Sequence, residues 1–369
     1  MTIRPIVSAL GRRLDRRSFL ARAEQRRVVC PGETRRCAPA FFPPGELDRV
    51  IAVEPQTTLD IERTRVLASV ADHGETVAYT YASAVVEDGS LYAGSARSTL
   101  RPRERRLARH VCDTVVERAL FCSTYATNRY FGHFLVDGLV TESSGDPLGL
   151  QPVVLDRTPW IHEHDYRQRL GLVPQRLSTA VLKTPTILDD RALNRWWISR
   201  FDRLRQIAAG DGGGTDRLGM GRLGMDRLGM DRLGTDRSRD IVFLARGHSG
   251  QPRSLANEEQ IVTMLAGRSA SIVYPETSSV AQMRGVLQQA SVVIAVEGSA
   301  IAHAMLLCSP NAVLLTIMPP RRFNAYFKNI ADVVGMRWGF VVADDAQGGT
   351  FSLPWDRLAM AIDLALRAR

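Results

Sequence analysis

The sequence predicts an α/β protein of two units, and three observations carry that prediction. Its 369 residues are more than one hydrophobic core commonly organises. From residue 240 onward, short apolar runs alternate with amphipathic stretches, the pattern of a parallel sheet covered on both faces. Residues 206–239 form a Gly-rich tract unlike the rest, which reads as a linker. The composition, 45% apolar and 24% charged, is that of an ordinary globular chain. No apolar run reaches the roughly eighteen residues that a membrane-spanning helix needs.

Taken in chain order, residues 1–40 read as a flexible basic arm. Residues 1–37 hold ten arginines against Asp15, Glu24 and Glu33, so they carry +7 of the net charge of +9. Charge confined to one end suits an anionic membrane surface, an acidic partner or a solvated tail. A nucleic-acid groove would spread it across a folded face, so no nucleic acid is expected. Residues 15–23, DRRSFLARA, resemble a twin-arginine export signal, yet EQRRVVCPGE follows where an apolar segment is required. The expectation is therefore a cytoplasmic protein, with peripheral contact at the inner face of the membrane through the arm. Five cysteines without a CxxC pair fit reduced thiols and argue against a structural zinc site.

Residues 41–205 form a less regular stretch. Residues 76–92 look β-rich, LFCSTYA and PVVLD read as strands, and PWIHEHDYRQRLGL and residues 194–209 read as helices. A second α/β unit there would leave a ligand cleft between the two. The linker holds a five-residue repeat, DRLGM with small variations, across residues 216–237. Five matches neither a helical nor a strand period, and a Gly in each copy opposes helix, so the tract reads as an expanded insertion in an exposed loop. In residues 240–369, strands are expected at 240–246, SIVY, 291–296, 312–318 and 338–343. Helices are expected at 257–267, 279–289, from near Ser299, at 324–334 and at 355–368.

Three places could carry chemistry. The stretch NRYFGHFLVDGL (residues 128–139) sets His133 and Asp137 four apart, one turn along a helix face. Such a pair is either a general base with its orienting carboxylate or a core histidine with satisfied ring nitrogens. Open α/β sheets bind ligands beyond the carboxyl ends of their strands. There the sequence places Arg246 and Arg253, two candidates for an anion, followed by Asn257 as an N-cap and Glu258 in the first helical turn. A second strand end gives Glu297, Gly298 and Ser299 in a tight turn, with His303 one helical turn after Ser299. Gly298 admits close approach to the backbone, and a helix start favours phosphate. The two strand ends together read as a nucleoside-diphosphate site. The chain has no GxxxxGK[ST] loop, GxSxG elbow or DxD motif, and its GxGxxG string, GMGRLG at 219–224, falls within the pentapeptide repeat and does not follow an expected strand. ATPase, dinucleotide and serine-hydrolase readings lose support accordingly, and neither a metal nor a cofactor is expected.

These motifs resemble glycosyltransferase family 61. The family's N-x-G-H-[WF]-[LI]-x-D motif corresponds to residues 128–137, its R-x-[IL]-x-N-E motif to RSLANE at 253–258, and its later Gly-Ser turn to EGSAIAH. Two departures stand out. Arg129, Tyr130 and Phe131 stand between Asn128 and Gly132 where the motif has a single residue, and Glu297 precedes Gly298 where many members have His. The resemblance implies two Rossmann-like domains in the GT-B arrangement, acceptor side first, with a cleft between them. It also implies an inverting reaction with a nucleotide-sugar donor, a UDP-sugar in first place, and a glycan acceptor, in the synthesis of cell-surface polysaccharide of the bacterial capsular or exopolysaccharide type. His133 and Asp137 would then be catalytic, and Arg246, Arg253, Asn257, Glu258, Glu297, Gly298, Ser299 and His303 would serve the donor. Two alternatives remain at this point: a polysaccharide pyruvyltransferase-like enzyme, against which the presence of only Lys183 and Lys328 weighs, and a degenerate nucleotide-sugar-binding scaffold.

Overall fold

The computed structural model describes residues 18–102, 112, 114–210, 241–246 and 254–368. Arg253, the pentapeptide repeat and most of the basic arm lie outside the described residues.

The C-terminal unit is a five-stranded parallel sheet of β14 (Ile241–Leu244), β15 (Ser271–Val273), β16 (Val292–Val296), β17 (Val313–Met318) and β18 (Arg337–Val342). Its spatial order is β15-β14-β16-β17-β18. The chain winds outward one way from β14 and then crosses back, so the direction reverses between β14 and β16. In doubly wound sheets this reversal opens a crevice at the strands' carboxyl ends. Every residue of β16 and β17 is buried, which is why β16 appears in the sequence as an unbroken apolar run and β17 as one interrupted only by Thr316. Alternation divides them between two cores. Val242, Leu244, Val293 and Ala295 face one apolar cluster, and Ile241, Phe243, Val292 and Ile294 face the other. The helices Glu258–Ala266 and Trp355–Arg367 cover the second face.

The N-terminal unit departs from the expected Rossmann pattern. A six-stranded sheet contains β1 (Gln25–Cys30), β4 (Thr76–Thr80), β9 (Ala119–Phe121), β10 (Gln151–Leu155), β11 (Gln175–Leu177) and β13 (Thr186–Asp189). Its order is β1-β4-β13-β9-β10-β11, and only β13, β9, β10 and β11 run parallel. One face carries helices. The other is covered by a second sheet, β7-β6-β5-β12-β8, in place of the helices of a doubly wound fold. Its strands are β5 (Ser83–Glu87), β6 (Ser90–Ala93), β7 (Ala96–Thr99), β8 (Val115–Glu117) and β12 (Ala180–Lys183). Val86, Leu91, Val116 and Leu182 pack there against Phe121, Val153 and Leu155. The molecule is thus mixed α/β, with a parallel sheet in one unit and sheet-on-sheet packing in the other.

Three expected boundaries shift. Residues 25–36 are not a free arm: β1 pairs antiparallel with β4, and β2 (Glu33–Arg36) pairs with β3 (Val70–His73). Val28, Val29 and Cys30 supply the β-forming run that composition hid among arginines. Phe41 bridges to Gly339, exchanging backbone hydrogen bonds with Trp338 and Phe340, so this early segment seals the open edge of β18. A Cβ at residue 339 would lie 2.3 Å from the Phe41 ring, so only Gly fits beneath it. Finally, the helix Arg195–Ala209 runs past the boundary expected at residue 205. It is capped by Asn194, which accepts from the N–H groups of Trp196 and Trp197. Its buried Trp197, Phe201 and Leu204 join the cluster formed by the Ile301–Leu307 helix, and Arg205 donates to the carbonyls of Cys308 and Val334. The two units therefore share one core.

Candidate active site

His133 and Asp137 sit on a helix of irregular pitch. Thr124 caps a short turn, Tyr125–Arg129, through a reciprocal Thr124–Thr127 box. Tyr130 then breaks the helix with extended φ/ψ (−126°, 121°), and a new one begins at Phe131. That break falls within the lengthened Asn128–Gly132 spacing of the motif. It also leaves Asn128 on the earlier turn, where its amide donates to the carbonyl of Leu100. The new helix is α over Phe131–His133, π over Phe134–Gly138 and α again over Leu139–Glu142. Single π turns recur at functional sites because the added residue reorients side chains.

Within it, His133 Nδ1 lies 2.6 Å from Asp137 Oδ2. In the tautomer in which Nδ1 donates to the carboxylate, Nε2 keeps the lone pair. The imidazole is a third exposed and the carboxylate nearly buried, at 32% and 12%. The other carboxylate oxygen, Oδ1, accepts from the Tyr326 hydroxyl at 3.4 Å. Burial, with the Asp137 charge added, holds the Tyr326 phenol well above its ordinary pKa, so it keeps the proton it donates. The Tyr326 ring also packs against His133, centroids 5.3 Å apart.

The C-terminal unit meets this helix at the turn after β16. Gly132 lies so close to it that a Cβ there would stand 3.3 Å from Ser299 Cα. Gly298 has φ +148°, a conformation left to glycine, and a Cβ on it would lie 2.7 Å from Arg246 Nη1. Arg246 follows β14 and donates 2.8 Å to the carbonyl of Glu297. The guanidinium thus lies across the sheet's reversal point. Among the described residues, the N–H groups of Gly298, Ser299 and Ala300 have no acceptor, whereas those of Ile301, Ala302 and His303 close back on Gly298, Ser299 and Ala300. The helix proper is Ile301–Leu307, and Ser299 does not cap it.

The expected donor residues divide accordingly. Arg246, Gly298 and Ser299 converge beside His133's helix. Glu297 is buried and contributes its carbonyl to Arg246. Asn257 does not cap its helix. Its amide grips Leu353 instead, accepting from the N–H and donating to the carbonyl. Glu258 accepts from the N–H of Arg246 and so fixes the strand end. His303 is a core residue: it is 1% exposed, its Nδ1 is 2.6 Å from the Tyr166 hydroxyl, and its ring packs against Phe131 and His162. Burial, reinforced by His162, depresses its pKa to about 3, so it is neutral. Asn257, Glu258 and His303 thus each give at least one polar atom to a protein partner. Sequence reasoning missed Tyr326 and Tyr166, which reach their histidine and carboxylate partners only through tertiary packing.

Such an arrangement can deprotonate a hydroxyl beside a seat for a leaving anion, which is what a group-transfer enzyme requires. Residues 131–315, just over half of the chain, match the family model described as Glycosyltransferase 61, and the chain belongs to that family. Membership supports a glycosyltransferase. No curated protein matches the sequence.

Proposed function

We propose that the protein is an inverting, metal-independent glycosyltransferase of GT-B type that takes a UDP-sugar and glycosylates a glycan hydroxyl in cell-surface polysaccharide synthesis. The observation that carries this reading is the contact of Gly132 with Ser299, which sets the His133–Asp137 pair against the strand-end turn held by Arg246. His133 Nε2 takes the proton of the acceptor hydroxyl while that oxygen attacks the anomeric carbon. The bond from that carbon to the diphosphate breaks, and the electron pair leaves with the nucleotide. Asp137 stabilises the imidazolium. Arg246 and the amides of Gly298 to Ala300 meet the departing charge, the part a divalent cation plays where a DxD motif exists. We place the reaction in the cytoplasm, with the basic N-terminal residues at the inner membrane surface.

The test is nucleoside-diphosphate release from UDP-glucose, UDP-galactose, UDP-xylose and UDP-N-acetylglucosamine with an oligosaccharide acceptor. The anomeric configuration of the product is read by NMR. One donor is expected to turn over with inversion, unchanged by EDTA, and His133→Ala is expected to lower kcat by about 10²–10⁴-fold. Undiminished kcat in that variant refutes the base assignment.

A further inference from the structure

We infer that Tyr326 is a positioning residue for the base, a role that rests on the reading of His133 as that base. Asp137 uses its two oxygens on opposite units: Oδ2 receives His133 Nδ1–H at 2.6 Å, and Oδ1 receives the Tyr326 hydroxyl at 3.4 Å. A carboxylate held at one oxygen alone can rotate about its Cβ–Cγ bond and release its partner. Held at both, it keeps one orientation, and with it the imidazole keeps the tautomer whose Nε2 is free to accept a proton.

Tyr326 is itself over-determined. Its backbone N–H is bound by Asn324 Oδ1 at 2.9 Å, and the preceding N–H, of Ala325, by the buried Glu62 at 2.7 Å. Its ring packs on Phe327 as well as on His133. The charged groups facing this arrangement are Arg191, which acts on the phenol, and Asp190, which senses Asp137 but is neutralised by Arg200 at 2.8 Å. Among the described residues no Lys or Arg pairs with Asp137, and the phenol is its second side-chain donor.

The Tyr326 helix, Tyr326–Val333, belongs to the nucleotide-side sheet, whereas His133 belongs to the acceptor-side unit. A group in one unit thereby sets the geometry of the reacting group in the other. This contact touches neither substrate, so its loss is expected in turnover and not in donor binding.

The experiment compares wild type, Tyr326→Phe and His133→Ala by two readouts: steady-state kinetics with the best UDP-sugar of the panel above, and the low-field Nδ1–H proton resonance of His133, assigned by its absence in His133→Ala. Tyr326→Phe is expected to lower kcat about tenfold, the order of one hydrogen bond to a charged group, with donor KM unchanged and the resonance lost or broadened. A purely structural role would lower the melting temperature and leave the resonance sharp, and wild-type kcat with an intact resonance overturns the inference. Should the variant fail to fold, 3-fluorotyrosine at position 326 keeps the ring and strengthens the donor. Its expected result is a displaced resonance, and an undisplaced one refutes the role. Full turnover in His133→Ala together with a lost resonance in Tyr326→Phe would discard the base assignment while retaining the positioning contact.

Discussion

Replacing Gly298 with Ala tests whether the turn after β16 is built around Arg246. The added Cβ would stand 2.7 Å from Arg246 Nη1, about 1 Å inside ordinary contact, and 3.6 Å from Cζ. The guanidinium is the far end of a flexible side chain, so it yields and gives up its 2.8 Å bond to the Glu297 carbonyl. The backbone does not yield as easily. At φ +148° an L-residue bears about 1–3 kcal/mol of strain, and a lost charge-assisted bond adds roughly 1.5 kcal/mol. With about 2 cal/mol/K of unfolding entropy per residue, a chain of this size loses about 1–2 °C per kcal/mol. The expected fall in melting temperature is therefore about 3–6 °C. Displacing Arg246 should also weaken UDP about tenfold, equivalent to about 1.4 kcal/mol. Scanning calorimetry and UDP titration by isothermal calorimetry read the two effects. If the variant melts as wild type and binds UDP within twofold of it, neither the strain nor the role of Arg246 is correct.

Three further outcomes are expected. His303 has a folded-state pKa of about 3, below the unfolded value near 6.5, so it contributes stability that is present above pH 6.5 and lost as pH falls toward 3. Urea unfolding should show a slope approaching about 1.4 kcal/mol per pH unit across that window, flattened in His303→Gln. Asn257→Ala removes both bonds to Leu353 and should cost about 1–3 kcal/mol in urea unfolding with UDP affinity unchanged. A loss of affinity there would mark Asn257 as a ligand. Burial pushes the Cys308 thiol up to about 12 and Cys122 well above its ordinary value. Iodoacetamide followed by mass spectrometry should therefore label neither in the native protein and both in urea.

The C-terminal sheet was legible because a strand buried on both faces has few polar positions, Thr316 alone in β16 and β17. Residues 292–296 and 313–318 announce themselves, and the structure moves their ends by one residue at most. The His133–Asp137 pair was legible through helical spacing, yet the π turn between them was not, since four residues bring two side chains together at either pitch. Residues 25–36 were misread because an exposed strand can carry arginines on its outward face: Arg26 pairs with Glu75 from there. Gly132 could be noted only as part of a motif, since its need for close approach depends on Ser299, 167 positions away. Tyr326 had no local signal at all. Its meaning lies in a contact across 189 positions.

The core shared by the two units has a mechanical consequence. Phe134, Leu135, Trp197, Phe201 and Leu204 come from the first unit and pack in one cluster with Ile301, Met305 and Leu306 from the second. Re-exposing those five side chains would cost about 10 kcal/mol at roughly 2 kcal/mol each, comparable to the whole stability of a typical domain. Opening the molecule like a hinged book is thereby too costly to occur in each catalytic cycle. Substrates must enter and products leave past side chains and loops at the rim, over a floor that stays rigid.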